Sequence, residues 1–339
     1  MRLLPLLVLV ACTAKESTSD DSAPTDDTST TTDDTSSTTD DTGTSDDTGE
    51  GRTGDADLGG CAVFPGDNPW NTDISGAPLH ARSDAFINNI GRSTGLHPDF
   101  GTTWQGAPNG IPFVTVDASQ PGVAVSFMYA DESDAGPYPV PEGAPIEGGP
   151  NGSGDRHVLV VQTDDCVLYE LYDAWPQSDG SWEAGSGAIF DLSSNDLRPD
   201  GWTSADAAGL PILPGLVRYE EVVTLGRIDH ALRFTVSRSQ RGYIHPATHA
   251  ASSDTDPDRP PMGLRLRLKA ATDCSGFSSE VQVICDALKT YGMFVADNGS
   301  DWYISGAPDE RWSDDNLRDL RELTGGDFEV VETGAVIPY

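Results

Sequence analysis

Positive charge is what this sequence has least of. Twenty Lys and Arg stand against 55 Asp and Glu, a formal net charge of −35 over 339 residues. So acidic a chain repels nucleic-acid phosphates, and no basic patch is large enough to reverse that, which excludes a nucleic-acid partner. Long apolar runs are also missing. Residues 3–10 form the only notable one near the start, far short of the roughly 20 residues that span a bilayer. The five cysteines make no CxxC or zinc spacing. No glycine loop is followed by a phosphate-binding Lys, and Gly185-Ser186-Gly187 is not the GxSxG elbow of a serine hydrolase. Internal repeats and the strand–helix alternation of a parallel βαβ sheet are absent as well.

What is present falls into three parts. Residues 1–11 read as an export signal, with Arg2 as the basic region and a short apolar stretch after it. Leu9-Val10-Ala11-Cys12 resembles the lipobox of bacterial lipoproteins. That resemblance implies cleavage before Cys12, lipidation of Cys12, and membrane contact through that lipid alone. Thr13 is not the Asp that marks inner-membrane retention, so an outer-membrane anchor is expected if the cell has one. Residues 12–58 are a Thr/Ser/Asp-rich tether. From residue 13 on they hold fourteen acids against Lys15 and Arg52. Such a segment cannot bury enough apolar surface to offset its ordering entropy and is expected to be disordered.

Residues 59–339 are expected to form a single globular domain, itself acidic with 41 acids and 17 bases. Four cysteines in an exported domain suggest two disulfides. Three pairings are possible. Cys61–Cys166 and Cys274–Cys285 are favoured, the first stapling the domain's start to its centre, the second joining near neighbours.

Short alternating runs bounded by Gly, Pro, Asn and Asp predict strands at 111–116, 122–130, 157–162, 166–175, 230–237, 262–270, 292–296, 302–305 and 328–332. Asn298-Gly299 between two of them predicts a tight hairpin. Helices are predicted near 83–91, at 278–291 and from Ser313 to Gly325. The expected fold is mainly β: an antiparallel two-sheet sandwich or jelly roll with two or three helices at its rim. Residues 131–156 and 185–219 are long loops carrying Tyr138, Trp202, Ile212, Leu213 and Leu216. They are expected to be ordered and to build a binding face.

Several stretches carry a resemblance to a family of secreted bacterial proteins with no assigned chemistry. They are Gly136-Pro137-Tyr138-Pro139, GDRHVLVV (154–161), LYELYDA (168–174), GWTSADAAGLPILPGLVRY (201–219) and ADNGS (296–300). The resemblance covers nearly the whole domain. It implies export and a single-domain extent only.

The candidate chemistry centres on a predicted hairpin over 154–175. With its turn at Asp164-Asp165, paired residue numbers sum to 329. His157, Glu170 and Tyr172 then share one face, and Arg156 meets Asp173 as a cross-strand ion pair. The expected readings are an acid/base group on Glu170 or a solvated face over a structural ion pair. Asp131, Glu132 and Asp134 crowd together after a strand, as glycosidase carboxyls or as a Ca²⁺ site. His230, next to Asp229, alternates with apolar residues and reads as a hydrogen-bonded core histidine or a cleft histidine. His245 and His249 are a weak metal pair because Pro246 opposes a helix. Arg265, Arg267 and Lys269 form a basic stripe that could grip an acidic glycan or pair with neighbouring acids.

The expectation is therefore an exported monomer acting on polysaccharide at the cell surface, a glycoside hydrolase ahead of a lyase. The cleft would be lined by Glu132, Asp134, Asp155, His157, Glu170 and His230. Substrate would lie against Arg156, Tyr172, Trp202, Arg233, Asn298 and Trp302. The alternatives are a non-enzymatic glycan- or protein-binding module and a Ca²⁺-stabilised surface protein. No other cofactor is expected.

Overall fold

The computed structural model describes residues 56–339. The expected signal peptide, Cys12 and residues 12–55 of the tether lie outside the described residues. Ala56–Leu58 form a short 3₁₀ turn, and Leu58 is fully buried, so the folded unit begins slightly before the break in composition. The described residues belong to one compact unit.

The architecture is mainly β. Six strands form one sheet in the order His97–Asp99, Tyr303–Ser305, Leu232–Val236, Met293–Asn298, Arg265–Leu268 and Phe328–Val330. Four form the second: Ser186–Asp191, Val167–Tyr172, Val158–Gln162 and Phe113–Val116. A smaller sheet joins Val125–Phe127, Trp182–Ala184 and Trp175–Pro176. Both large sheets also contain parallel pairs, such as Phe113–Val116 with Val158–Gln162 and Leu232–Val236 with Met293–Asn298. The helices Ser83–Ile90 and Ser279–Thr290 each bury an apolar stripe, Phe86, Ile87 and Ile90 in the first and Val281, Ile284, Cys285 and Leu288 in the second. Ser313 caps the helix Asp314–Leu317 by accepting the Asn316 N–H.

The central hairpin has the register the sequence predicts. Val158 pairs with Leu171 and Leu159 with Glu170. Its two faces are both buried. Leu159, Val161 and Leu168 enter the main core, while Val158, Val160 and Leu171 pack with Tyr138, Val140 and Trp182 in a second cluster. The face carrying His157 and Glu170 is therefore interior. The expected Arg156–Asp173 ion pair does not form. Arg156 donates instead to the carbonyls of Ala174 (3.1 Å), Pro150 (3.2 Å) and Gly152 (2.8 Å).

Asn298-Gly299 does not close a hairpin. The strands on either side of it, Met293–Asn298 and Tyr303–Ser305, are separated by Leu232–Val236, parallel to the first and antiparallel to the second. Gly299 N–H reaches Val236 O at 2.9 Å and Trp302 N–H reaches Thr235 O at 3.2 Å, so the connection steps over that intervening strand. Trp302 explains the detour. Its ring is fully buried against Phe234 and Phe328, with centroids 5.7 and 5.2 Å away, and its indole N–H donates to Gly91 O at 2.9 Å. Burying a satisfied indole outweighs the local preference for a two-residue turn.

The basic stripe is structural. Arg265 donates to the carbonyls of Pro69 (2.7 Å), Thr72 (2.9 Å) and Tyr291 (2.7 Å). Arg267 holds Ser75 O (2.8 Å) and Glu329 (2.8 Å), and Lys269 holds Gly326 O (2.5 Å). The two arginines clamp the 69–77 segment onto the six-stranded sheet.

Both favoured disulfides are present, Cys61–Cys166 and Cys274–Cys285. The first spans 105 residues and the second 11. The longer loop removes more entropy from the unfolded chain. Replacing Cys61 and Cys166 by Ala is expected to cost about 2–4 kcal/mol in urea denaturation, and replacing the Cys274–Cys285 pair less.

Candidate active site

Residues 203–217 run between the two large sheets as an internal strap. Ala205, Ala208, Leu210, Ile212, Leu213, Leu216 and Val217 are all buried, which leaves a length of backbone needing polar partners away from water. Both sheets supply them. From the four-stranded side, Ser186 Oγ donates to Ser204 O (2.6 Å) and His157 Nε2 to Ala205 O (3.1 Å). Glu170 accepts the Ile212 and Leu213 N–H groups, each at 2.9 Å. From the other side, Ala208 N–H reaches Ala296 O (3.0 Å) and Val217 N–H reaches Ser305 O (3.1 Å). Arg233 grips both oxygens of Asp206, at 3.1 and 3.0 Å, and donates to Ser305 Oγ at 2.5 Å.

Two residues expected to be catalytic are thus struts. Burial pushes Glu170 up to about 7, against the pull of its two N–H donors, and its carboxylate is committed to the strap. His157 lies between Ala205 O and Glu147, whose Oε2 is 2.6 Å from Nδ1. Burial opposes charge on His157, but Glu147 outweighs it and raises the imidazole to about 9. The same pairing lowers Glu147 despite its own burial. His157 is therefore a cation at neutral pH, donating from both nitrogens. Because its folded pKa lies above the unfolded 6.5, its contribution is complete below pH 6.5 and is lost as pH rises through about 9. Melting temperature should fall over that range, and His157→Gln should flatten the fall.

Beside the strap, acids converge from distant segments. Asp206 and Asp297 lie close enough to act on each other's ionisation. Burial raises both, and the Asp206 charge raises Asp297 well above the usual carboxylate range. Arg233, bonded to both oxygens of Asp206, opposes the rise in both carboxyls. A bulge aims Asp297 there. The register passes from Phe234–Val295 to Thr235–Asp297, skipping Ala296, so Asp297 takes the face that Arg233 and Thr235 share.

Asp99, paired in register with Ser305, ends the edge strand of the six-stranded sheet, with two strands between it and Met293–Asn298. It is open to solvent yet crowded by protein, as on a cleft wall. Burial, with the Glu147 and Asp155 charges, raises it to about 6, while Arg233 opposes the rise. Asp155 is exposed and acts on Asp99, His157, Tyr172 and Asp297 alike. Tyr172 is half-buried, its ring 5.9 Å from that of His157, and burial followed by the acids around it pushes it up to about 12.

Of the residues singled out from sequence, Asp155, His157, Tyr172 and Arg233 meet here. Glu170 anchors the strap beside them, and the rest lie elsewhere. Asp134 accepts from Arg198 and from Ile189 N–H (2.9 Å), while Glu132 accepts from Thr203 N–H (3.2 Å). Trp202 packs beside the same Arg198, 5.6 Å from ring to guanidinium. His230 is fully buried, with Glu221 at 3.1 Å, in a network that includes Arg218. It is the hydrogen-bonded core histidine of the two expected readings. Trp302 is core and offers no face to a ligand. Asn298 holds Ser239 Oγ (2.8 Å) and Ala251 O (3.1 Å). Among the described residues, no group of three or more His, Cys, Asp or Glu is arranged to hold a metal ion, the acids of 131–134 included.

Sequence reasoning missed Asp99, Glu147, Asp206 and Asp297. Asp206 carried a signal: one carboxyl within Ala205, Ala207 and Ala208, just before an apolar run. A separate cavity of about 270 Å³ lies between Phe113, Tyr219, Arg218 and Arg311. Its charges pair within its own wall, Arg311 with Glu220 and Asp309 and Arg218 with Asp57 and Glu221, so it lacks the inter-sheet cluster's free carboxyl chemistry.

Fold and site together define a mainly-β protein with a cluster of acids beside an internal strap. Comparison with protein-family models, with curated proteins and with solved structures finds no match.

Proposed function

We propose that this chain is an exported glycoside hydrolase whose reaction centre is a cleft at the acid cluster, with Asp297 as general acid and Asp99 as general base. One observation carries the reading: Asp297, a carboxyl that burial and the Asp206 charge push well above its ordinary range, stands by Asp206, which Arg233 fixes in place. A carboxyl with a raised pKa is what the acid step of glycosidic cleavage uses. Asp297 gives its proton to the glycosidic oxygen as the C–O bond breaks. Water adds to the anomeric carbon and passes its proton to Asp99, yielding a hemiacetal and an alcohol. Solvent then resets both carboxyls.

A lyase fits less well. Its base would be His157 or Tyr172, but His157 is a doubly engaged cation and Tyr172 is pushed up to about 12. Two disulfides support the exported setting, with Cys12 as lipid anchor and residues 12–58 as tether. The test is release of reducing ends from a panel of polysaccharides by the wild type and by Asp297→Asn. Release by neither, or by both equally, removes the assignment.

A further inference from the structure

The reaction centre names two carboxyls but no surface for a sugar ring. We propose that Trp175 is that surface: a fixed stacking platform at the mouth of the cleft, for a neutral pyranose unit of the polysaccharide. This rests on the hydrolase reading for the position of the cleft.

Trp175 is 43% exposed, yet it is held on every other side. One ring face lies against the Arg156 guanidinium, 3.6 Å from centroid to Cζ. Arg156 itself is only 1% exposed and is pinned by the carbonyls of Ala174, Pro150 and Gly152. The indole N–H donates to Asp173 Oδ1 at 2.7 Å. Trp175 also pairs with Glu183 at the edge of the small sheet. Among the described residues its ring has no other aromatic or cationic partner. An indole so fixed loses little entropy when a ring stacks on it.

Its place in the fold ties it to the cleft. Asp173 N–H bonds to Asp155 O at 2.8 Å, and Asp155 is one of the cleft acids. Other exposed apolar groups extend the rim. Met128 and Tyr129 are 72% and 48% exposed, and their N–H groups bond to the carbonyls of Ala184 and Gly185. Trp104, 66% exposed, tops a hairpin whose Ala107 approaches Gly149, next to the carbonyls that pin Arg156. Sugar rings present apolar C–H faces to such aromatics.

The charge selects the sugar. Asp173 bonds to the platform and Asp155 bonds to Asp173, while the cation against the ring, Arg156, is buried beneath it. A uronate or sulfated unit would meet uncompensated repulsion.

Native affinity electrophoresis tests this, using the full chain carrying Asp297→Asn in gels containing xyloglucan, galactomannan, laminarin, arabinoxylan or polygalacturonate. At least one neutral polymer should retard the protein and polygalacturonate should not. Adding Trp175→Ala should weaken retardation at least about tenfold at unchanged melting temperature, and Trp175→Phe should keep most of it. Equal retardation of the Trp175→Ala protein, retardation by polygalacturonate alone, or none by any polymer overturns the proposal. Trp175-dependent retardation without reducing-end release by the wild type leaves the platform standing and sinks the hydrolase. Release with a KM indifferent to Trp175→Ala does the reverse.

Discussion

Asp297→Asn is expected to lower glycan turnover by about 10²–10⁴-fold while leaving the melting temperature unchanged or slightly raised. The two readouts diverge because of what Asp297 does in the resting protein. Burial and the nearby Asp206 charge favour a proton on it. A neutral Asn amide can take the same place, so the fold loses nothing there. It cannot release a proton to a leaving group, so catalysis loses its acid. Asp297→Ala is a poorer probe, since it also leaves space beside a buried carboxylate. Unaltered turnover in the Asn variant would show that the proton on Asp297 is structural only.

Arg233→Met should cost about 3–5 kcal/mol in urea denaturation at neutral pH. Arg233 is 3% exposed and Asp206 1%, and the pair is bidentate at 3.1 and 3.0 Å. Without the guanidinium, Asp206 is a buried charge near Asp297, opposed only by the unbonded His157 cation. Its folded pKa then rises further above the unfolded value. A raised folded pKa means stability present at low pH and lost as pH climbs, so the deficit should be smaller at pH 5 than at pH 8. Adding Asp206→Leu should recover much of the loss, because an empty apolar site costs less than half an ion pair. A loss under about 1 kcal/mol at pH 8 would mean that water reaches Asp206 and that the cleft floor is open.

The same cluster shows why one part of the site was legible in the sequence and another was not. His157, Tyr172 and Asp155 sit on a hairpin whose register follows from period-2 alternation and turn residues. Their mutual placement follows from that local pattern. What they face does not. His157 and Glu170 look toward neither water nor the acids of 131–134, but toward strap residues 42 to 48 positions further along the chain. The expectation that Glu170 was an acid/base group had the right physics, burial raising a carboxyl, with the wrong partner. Two backbone amides occupy it.

Asn298-Gly299 is the clearest case of local preference overruled. The dipeptide favours a hairpin, and the flanking residues alternate as strands should. Burial of Trp302 and insertion of Leu232–Val236 between the two strands decided otherwise.

By itself, then, the sequence determined the features set by neighbouring residues or by simple economy of pairing: a mainly-β chain, its helix starts, the hairpin register and the two disulfides. Tertiary structure alone decided which segment fills the space between the sheets and which carboxyls meet there. Asp99, Asp206 and Asp297 come from an edge strand, a strap and a bulged strand, and no periodicity connects them. Their upward shifts arise only when burial removes water, and Arg233 decides how far each rises. Those shifts depend on distances across the fold, which local pattern does not encode.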